Sequence, residues 1–409
     1  MDVTTAFLYA PLEEIIYMEP PEGTCEPGDE GKVWLLLRCL YGLKQSPRMW
    51  NAHIDEVLRG LGFRRLQSDF GLYVMGSGPD ALYLALCVDD LFLLSKEVSR
   101  ILGVKVQLEK QFRMQDLGEA KFLLGLEIRR QPDGGVFLCQ EKYAREVLGK
   151  FNMLACNPAA TPLEVGKDFC KDPGPVADFV WEGVADVPYR SAMGSLLYLC
   201  SGTRPDLAAA VNSLCRYSEN PAAQHWEGVK RVLRFIRGTL THGLLYQSGG
   251  DLPVWGYSDS SHGNDEATRK GRGGYVFNSG GAAISWRSSL LEAVTHSSCE
   301  SEYVALSTAG NEALYLRQVH WELGIASGAG VFLPGDNESF LKLAENPVFH
   351  RRSKHIELKW HSIRERVAKG LIRLQFVKSE FRAVDMLTKA VLVKILEADC
   401  AMIGLVAAP

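Results

Sequence analysis

The sequence predicts a mixed α and β protein made of two or three domains. Its 409 residues exceed what one ordinary hydrophobic core accommodates. Two short apolar runs flank a pair of aspartates near residue 89, a pattern typical of a β-hairpin. From about residue 251 a second pattern begins, in which predicted strands and helices follow in the order βββαβαβα. Each half of the chain therefore carries its own set of acidic residues on regular structure.

The composition is that of a globular protein. The 46% hydrophobic and 23% charged residues argue against long disordered regions. The net charge of −4 gives no overall attraction to nucleic acid, so any such binding depends on local basic faces. The ten cysteines are scattered without a C-x-x-C pair, which argues against a zinc site or a disulfide framework. No basic leader and no apolar run of membrane-spanning length occurs, so we expect a soluble, intracellular protein that is not secreted and has no membrane partner.

The first candidate site is the pair Asp89 and Asp90 within residues 82–94. The apolar runs on either side predict two strands, with the pair at the tip of the hairpin. Two adjacent carboxylates repel each other unless a cation neutralises them, and their hard oxygen atoms suit Mg²⁺. The alternative interpretation is a solvated Asp-Asp turn without a ligand.

A helix is predicted to begin near Pro47, directly after Lys44 and Gln45. Proline suits the first turn of a helix, and an apolar stripe continues to residue 61 before a glycine. Polar residues before a helix start can bind anionic groups or base edges. The alternative is that these charged residues are only solvated. The predicted stripe consists of Met49, Ile54, Val57, Leu58 and Leu61.

The middle of the chain contains three further features. Residues 98–112 predict an amphipathic helix, and residues 122–128 predict a strand whose single glycine, Gly125, indicates a close approach of the backbone to another group. The alternative for that strand is an ordinary core hairpin with residues 136–138. Residues 157–187 are rich in proline and predict a linker. A later helix carries a basic face that either follows a phosphate backbone or is solvated: Lys230, Arg231, Arg234 and Arg237.

The second candidate site consists of four acidic residues from separate elements after residue 251. The order βββαβαβα is that of the ribonuclease H fold, with Asp259 on the first strand, Asp336 at the end of the fourth and Asp385 at the start of the final helix. On the long helix we choose Glu302 over Glu300, because Glu302 shares the buried stripe and Glu300 lies about 200° away. Four such carboxylates would hold two Mg²⁺ ions about 4 Å apart. The alternative is that these acids are helix caps or solvated strand ends.

A local excess of positive charge lies between Lys342 and Lys378. This segment holds five lysines, five arginines and three glutamates, a local charge of +7. Such an excess suits an RNA–DNA hybrid despite the acidic total.

Several sequence motifs together resemble the C-terminal part of the Pol polyprotein of copia-type LTR retrotransposons. The motifs are D-V-T-T-A-F-L at residue 2, G-L-K-Q-S-P-R-M-W at residue 42, C-V-D-D at residue 87, F-L-L-G-L-E-I at residue 122 and D-M-L-T-K at residue 385. The resemblance implies a partial reverse transcriptase palm over 1–156, a linker with thumb and connection helices over 157–250, a ribonuclease H-like domain over 251–392 and a C-terminal tail over 393–409.

The resemblance also implies roles for individual residues. Asp2 becomes the third metal-binding carboxylate beside Asp89 and Asp90, and Phe7 becomes a steric gate against a ribose 2′-hydroxyl. Asp259, Glu302, Asp336 and Asp385 become the nuclease carboxylates. The residues implied at the nucleotide, template or primer site are Phe7, Lys44, Gln45, Arg48, Cys87 and Gly125.

The implied activities are RNA-directed DNA polymerase and ribonuclease H. Each site would use two Mg²⁺ ions, with Mn²⁺ as an alternative, on RNA, DNA, RNA–DNA hybrids and deoxynucleoside triphosphates. The implied location is a cytoplasmic particle or the nucleus, with an upstream polyprotein segment or an oligomer as a further partner. A rival function is a catalytically silent or co-opted nucleic-acid-binding module. A hydrolase of small molecules would need an enclosed apolar pocket, which the sequence does not indicate.

The sequence departs from the family pattern at several positions. Cys87 replaces a tyrosine, His262 stands where tryptophan is usual, and Gly271 and Arg272 replace two small hydroxyl residues. Asp2 has one residue in front of it, so we expect a frayed end that holds a metal ligand poorly. We therefore expect polymerase chemistry to be lost or weak, while hybrid cleavage survives.

Overall fold

The computed structural model describes residues 1–24, 28, 31–166, 169, 187–249, 252–265, 268–325, 330–335, 357–377 and 383–409. The chain divides into two compact units. The N-terminal unit comprises residues 1–120 with residues 319–325, and the C-terminal unit comprises residues 121–318 with residues 326–409. The predicted domain limits at 156, 250 and 392 stay a prediction. Asp336 and most of the predicted linker lie outside the described residues.

The N-terminal unit is built on a six-stranded sheet in the order β4-β5-β6-β7-β1-β8, with a separate pair β2-β3. The predicted hairpin is formed by β6 and β7, which run antiparallel from the pair Leu82 and Ser95 to the pair Cys87 and Asp90. The strands are β1 (Asp2–Val3), β2 (Tyr17–Met18), β3 (Trp34–Leu35), β4 (Arg64–Arg65), β5 (Leu72–Met75), β6 (Leu82–Cys87), β7 (Asp90–Ser95) and β8 (Met114–Gln115).

Two helices cover this unit, α1 (Ser46–Gly60) and α2 (Val98–Gln111), with short 3-10 turns at Ala6–Tyr9 and Gly78–Asp80. Pro47 lies in the first turn of α1, as predicted. Met49, Ile54 and Leu58 of the predicted stripe are buried, and Trp50 joins them. The apolar stripe of α1 therefore forms much of the core of this unit.

The C-terminal unit contains one wholly antiparallel sheet in the order β18-β12-β11-β10-β9. Residues 393–409, which were assigned to a C-terminal tail, form a helix and a strand that pairs with β12. The strands are β9 (Phe122–Leu123), β10 (Leu126–Arg130), β11 (Val136–Cys139), β12 (His242–Tyr246) and β18 (Leu405–Ala407).

The second sheet of this unit has the order β15-β14-β13-β16-β17. The first three strands are antiparallel, whereas β16 pairs in parallel with both β13 and β17. With its helices this is the predicted ribonuclease H-like order, so the fold class is confirmed. The strands are β13 (Trp255–Ser261), β14 (Arg272–Ser279), β15 (Ala282–Leu290), β16 (Val331–Phe332) and β17 (Ile372–Arg373).

Several described helices of this unit pack on strands of the two sheets. One hydrophobic core contains buried residues of the fourth to sixth helices and of the helix that begins at residue 385. None of the helices in the described ranges is long and apolar enough to cross a membrane. The helices are α3 (Glu141–Lys150), α4 (Tyr189–Gly202), α5 (Ala208–Cys215), α6 (Ala223–Gly238), α7 (Ser298–Glu322, whose end belongs to the N-terminal unit), α8 (Glu357–Ala368), α9 (Asp385–Thr388) and α10 (Val393–Met402), with a 3-10 turn at Pro205–Leu207.

The basic face of α6 binds the protein's own chain. Arg234 donates to the carbonyl oxygen of residue 157 and Arg237 to that of residue 154, both at 2.7 Å. Arg231 donates to Thr161 Oγ1 at 3.0 Å. These arginines hold residues 154–161 along the helix. Whether the face also follows a phosphate backbone stays a prediction.

Candidate active sites

The three carboxylates of the N-terminal unit are brought together by strand register. Asp2 lies directly opposite Asp90, because β1 pairs with β7 on one side and with β8 on the other. The backbone N–H of Val3 donates to the carbonyl oxygen of Asp89 at 2.8 Å, and that of Leu91 donates to the carbonyl oxygen of Met1 at the same distance. The expected fraying of Asp2 is therefore wrong, since hydrogen bonds to two neighbouring strands hold this residue inside the sheet.

The turn that carries Asp89 has a strained backbone and is held by a hydrogen bond from helix α1. Val88 has a φ of 54°, an uncommon value for a β-branched residue, and such conformations cost about 1–3 kcal/mol. The indole N–H of Trp50 donates to the carbonyl oxygen of Val88 at 2.8 Å, and the Trp50 side chain is 2% exposed. A buried tryptophan of α1 thus fixes the orientation of the turn.

The two oxygen atoms of the Asp89 carboxylate differ in their surroundings. Oδ2 accepts a hydrogen bond from the Tyr41 hydroxyl at 3.1 Å, whereas Oδ1 is buried without a partner among the described residues. Burial raises the pKa of the Asp89 carboxyl, the Tyr41 hydrogen bond lowers it, and the charges of Asp2 and Asp90 raise it further. A buried carboxylate oxygen beside two other carboxylates fits a hard cation such as Mg²⁺.

Tyr41 is the residue of this site that sequence reasoning missed. It lies inside the Leu40-Tyr41-Gly42 run, directly before the charged and polar residues that were assigned to the nucleotide site. Its ring packs on Phe7, the predicted steric gate, with 4.6 Å between ring centroids. The sequence offered one signal for Tyr41, namely its position in a run that directly precedes a predicted helix start.

The other residues predicted at the nucleotide site lie at the start of α1 or beside the turn that carries Asp89. Gln45 directly precedes α1 and is half-buried, and Lys44 is exposed. Arg48 is also exposed and forms an ion pair with Glu13 at 3.6 Å. Cys87 is exposed beside the turn and forms the cross-strand pair with Asp90. Their roles toward a nucleotide stay predictions.

Gly125 lies in the C-terminal unit, in the turn between β9 and β10. The predicted single strand is wrong here: Leu124 and Gly125 both have positive φ, 48° and 77°, and form a tight turn between two short strands. The predicted close approach is confirmed, because a Cβ at residue 125 would overlap the Tyr198 hydroxyl, which donates to the carbonyl oxygen of Leu124 at 2.6 Å. The alternative core hairpin with β11 also forms.

The nuclease candidate Asp259 is buried in the middle of β13. Its side chain is 4% exposed, and Thr388 of α9 donates to Oδ2 at 2.6 Å. Asp385 opens the short helix α9 and forms an ion pair with Lys389 at 3.1 Å. The prediction that it opens the final helix is wrong, because α10 follows. The short helix α9 thus links two of the four predicted acids. Asp385 is its first residue, and Asp259 is hydrogen-bonded to its last residue, Thr388.

A further buried acid, Asp399 of α10, joins this centre. It is 2% exposed and accepts a hydrogen bond from the backbone N–H of Met386 at 3.0 Å. Burial raises the pKa of Asp399 to about 7, opposed by that hydrogen bond and supported by the negative charges of Asp385 and Asp259. Sequence reasoning missed it because the motif resemblance ends near residue 392, and a lone Asp in a helix gives no further signal.

On α7 the structure gives Glu300 a capping role. Its Oε2 accepts from the backbone N–H of His296 at 2.8 Å, as expected at a helix start. Glu302 is half-buried, and Tyr303, Ala305 and Leu306 next to it are buried. Its catalytic role stays a prediction, as does that of Asp336. His262, a departure from the family pattern, lies 3.1 Å from the hydroxyls of both Thr295 and Ser301.

The described acids of the two centres do not form a closed ligand cage. Within the described ranges, no group of three or more His, Cys, Asp or Glu side chains is close enough together to hold one metal ion. Asp336 lies outside these ranges, so the finding concerns the N-terminal centre in full and the C-terminal centre only in part. The two-metal prediction accordingly stays a prediction.

Comparison with known proteins agrees with this arrangement. The family described as reverse transcriptase (RNA-dependent DNA polymerase) matches residues 1–165. The chain is 39% identical over 393 residues to the retrovirus-related Pol polyprotein from transposon TNT 1-94 of Nicotiana tabacum, covering 96% of this chain and 29% of that protein. It is 34% identical over 308 residues to the putative transposon Ty5-1 protein YCL074W of Saccharomyces cerevisiae, covering 75% of this chain and 98% of that protein. The chain thus spans less than a third of the tobacco polyprotein.

A solved structure shows the same fold at low sequence identity. The foamy viral protease-reverse transcriptase in complex with an RNA/DNA hybrid matches with a TM-score of 0.51 and 14% identity. The match covers 92% of this chain and 43% of the viral one. At this identity the similarity concerns the fold alone.

Proposed function

This chain belongs to the reverse transcriptase family of copia-type retrotransposon Pol polyproteins, and from that premise we propose that it acts on RNA–DNA hybrids by two-metal phosphoryl transfer. The N-terminal unit would extend a primer, and the C-terminal unit would cleave the RNA strand. The observation that carries the proposal is the position of Asp259, buried on β13 and hydrogen-bonded to the short helix that begins with Asp385. Two acids from distant parts of the chain are thereby brought to one short helix, Asp385 as its first residue and Asp259 through a hydrogen bond to its last.

In the proposed polymerase centre, Asp2, Asp89 and Asp90 would hold the metal ions. When bound, Mg²⁺ neutralises charge on the transferring phosphoryl group and activates the attacking oxygen. The chain's own contribution is position: the β1–β7 register fixes Asp2 against Asp90, and Trp50 fixes the turn that carries Asp89. Phe7 is proposed to exclude a 2′-hydroxyl, and its contact with Tyr41 supports its ring from one side.

In the proposed nuclease centre, Asp259, Glu302, Asp336 and Asp385 hold the metal ions. Thr388 orients Asp259 through its hydroxyl, and the Asp399 carboxylate holds the first turn of α9 at the Met386 N–H. The deprotonated carboxylates would bind the cations, and hydrolysis of the RNA strand would leave a 3′-hydroxyl on the upstream product. The partners proposed for the whole chain are RNA, DNA, their hybrid and deoxynucleoside triphosphates.

We propose that cleavage is the stronger of the two activities in this chain. Burial and the neighbouring charges of Asp2 and Asp90 raise the pKa of Asp89, so a cation must compete with a proton for this carboxyl. Asp259 is held by Thr388, whose small hydroxyl can rotate and donate elsewhere when a cation approaches.

The test is Mg²⁺-dependent cleavage of a hybrid with a labelled RNA strand by the purified chain. Asp259→Asn should abolish cleavage, whereas Glu146→Gln, which removes an exposed carboxylate of α3, should not change it. Thermal unfolding of both variants checks that the fold persists. Cleavage that survives Asp259→Asn would contradict the assignment.

The second candidate function is a silent nucleic-acid-binding module. It is favoured by the N-terminal centre, where burial and the charges of Asp2 and Asp90 raise the pKa of Asp89 and so oppose the ionised form that binds a cation. Hybrid binding that is strong, depends on salt and is indifferent to Mg²⁺, without any cleavage, would select this alternative.

A further inference from the structure

An exposed histidine and two buried hydroxyl groups form a small hydrogen-bonded cluster in the C-terminal unit. His262 Nδ1 lies 3.1 Å from both Thr295 Oγ1 and Ser301 Oγ, and the two hydroxyl oxygen atoms lie 2.5 Å apart. Thr295 is 5% exposed and Ser301 is fully buried, whereas His262 is exposed. The proposed function assigns no role to this cluster, and its histidine stands where tryptophan is usual in the family.

The chemistry of the cluster is that of a fixed contact. A histidine beside a serine can activate the hydroxyl as a nucleophile, but here both hydroxyls are buried and closed to a substrate. When the ring proton is on Nε2, Nδ1 accepts from one hydroxyl while the other hydroxyl donates to its neighbour. Each hydroxyl proton then has an acceptor, so burial of these groups carries no penalty for an unmade hydrogen bond.

The cluster joins two elements that carry proposed nuclease carboxylates. His262 directly follows the last residue of β13 and lies three positions after Asp259. Ser301 lies in the first turn of α7, directly before Glu302. The contact between His262 and Ser301 spans 39 residues of sequence. It therefore links the strand of one proposed metal ligand to the helix of another.

The local hydrogen bonds at the start of α7 cannot make this link. The backbone N–H of Glu300 donates to Ser297 Oγ at 3.2 Å, and that of His296 donates to Glu300 Oε2 at 2.8 Å. Both bonds join residues at most four apart, so they shape the turn without relating it to the sheet. Apolar packing holds the rest of α7, but hydrophobic contacts are not directional. A directional contact from the end of β13 adds a fixed position for the first turn.

We propose that His262 is a positioning residue of the nuclease centre, which fixes the first turn of α7, and with it Glu302, against the strand that carries Asp259. The proposal rests on the proposed function, because only there are these two acids metal ligands. Metal ligands must be held to within about 0.5 Å, and residues that hold the ligands change metal affinity about 10- to 100-fold. His262 therefore acts on the affinity for the cation and makes no contact with the reacting atoms.

The experiment measures Mn²⁺ binding to the full chain without nucleic acid, from the electron paramagnetic resonance signal of the free ion. Every chain carries Asp90→Asn to weaken the N-terminal centre, and Asp259→Asn shows which bound ions belong to the C-terminal centre. The test variant is His262→Leu. In His262→Asn the amide atoms are attached to Cγ, as Nδ1 is, so the contact can form again. The matched control is His262→Gln, whose amide atoms lie one bond further out.

His262→Leu and His262→Gln should bind the Asp259-dependent ion about tenfold more weakly, whereas His262→Asn should stay within about twofold of the parent chain. In the chain with Asp90→Asn as its only substitution, the Mg²⁺ concentration for half-maximal cleavage should be lower than in His262→Leu by the same factor, with equal rates at saturating Mg²⁺. The fold of His262→Leu should persist, because Ser301 Oγ still donates to the carbonyl oxygen of Ser297 at 3.2 Å. Thermal unfolding checks this point.

Unchanged Mn²⁺ affinity in His262→Leu would overturn the proposal, and so would a His262→Asn variant that binds as weakly as His262→Leu. If His262→Leu is unfolded, Ser301→Ala tests the same link from the helix side and should weaken binding by a similar factor. Unchanged affinity in Ser301→Ala would then overturn the proposal. If the parent chain binds no ion that depends on Asp259, the proposed nuclease centre itself fails, and the role of His262 fails with it.

Discussion

The two carboxylate centres of this protein are assembled by different means. In the N-terminal unit, backbone hydrogen bonds between neighbouring strands put Asp2 opposite Asp90 and Asp89 at the adjoining turn. In the C-terminal unit, side-chain contacts bring Asp259 of a strand to a four-residue helix far along the chain. The first arrangement follows from strand pairing, whereas the second depends on the packing of elements more than 100 residues apart.

Because of this difference, side-chain substitutions should affect the two centres differently. A backbone register tolerates side-chain changes, so single substitutions in the N-terminal centre should affect chemistry more than folding. In the C-terminal centre, Thr388 and Asp399 link the acids to buried packing, so substitutions there should affect both.

The largest expected effect is on primer extension by Asp90→Asn. Removing one of three carboxylates from the proposed polymerase centre should reduce extension about 100-fold or more. Hybrid cleavage, which we assign to the other unit, should stay within about twofold of the original. Primer extension and cleavage assays on one preparation measure both effects. Equal loss of the two activities would show that the centres do not act separately.

A second prediction concerns the pH dependence of stability at Asp399. The folded-state pKa is raised from 3.8 to about 7, so between these values the folded chain holds a proton that the unfolded chain has lost. The stability contribution is therefore present at low pH and is lost as the pH rises toward 7. The shift corresponds to at most about 4 kcal/mol.

Urea unfolding at pH 5 and pH 8 measures this loss. Asp399→Asn keeps an oxygen acceptor for the Met386 N–H but cannot ionise, so its stability should not decline over this range. Glu397→Gln, at an exposed position of the same helix, is the matched control and should behave like the original chain. An Asn variant that declines as steeply as the original would contradict the buried-acid interpretation.

The sequence predicted the elements and most acids of both centres but not their supporting contacts. Hairpin, helix and strand patterns are local, so the tip at Asp89 and the start of α9 at Asp385 were predictable. The contacts of Trp50 with Val88 and of Thr388 with Asp259 join residues distant in sequence, which periodicity cannot reveal. The folding of residues 393–409 was missed because β18 pairs with a strand some 160 residues earlier.

A smaller effect is expected from Trp50→Phe, which tests the support of the strained turn. The variant loses the hydrogen bond to the carbonyl oxygen of Val88 and part of a buried ring, at a cost of about 2 kcal/mol. Primer extension should fall as the turn loses its fixed orientation, while cleavage should not change. Trp34→Phe, at an exposed tryptophan of β3, is the control. If the free energy of unfolding and the primer extension rate of Trp50→Phe both match those of Trp34→Phe, Trp50 has no role in holding the turn.

The smallest expected effect comes from Tyr41→Phe, with Tyr17→Phe at an exposed position of β2 as its control. The hydroxyl of Tyr41 lowers the pKa of Asp89 against the effect of burial, so removing it should raise that pKa further. Because metal binding needs the ionised carboxylate, the pH at which extension is half-maximal should move upward. One hydrogen bond to a charged group contributes about 2 kcal/mol or less to stability, so the effect is small. At saturating Mg²⁺ and a pH above the half-maximal value, the extension rate should recover. The opposite result, faster extension at every pH, would mean that Tyr41 mainly competes with the metal for Asp89. In that case the N-terminal centre is restrained by a side-chain contact as well, and its difference from the C-terminal centre is one of degree.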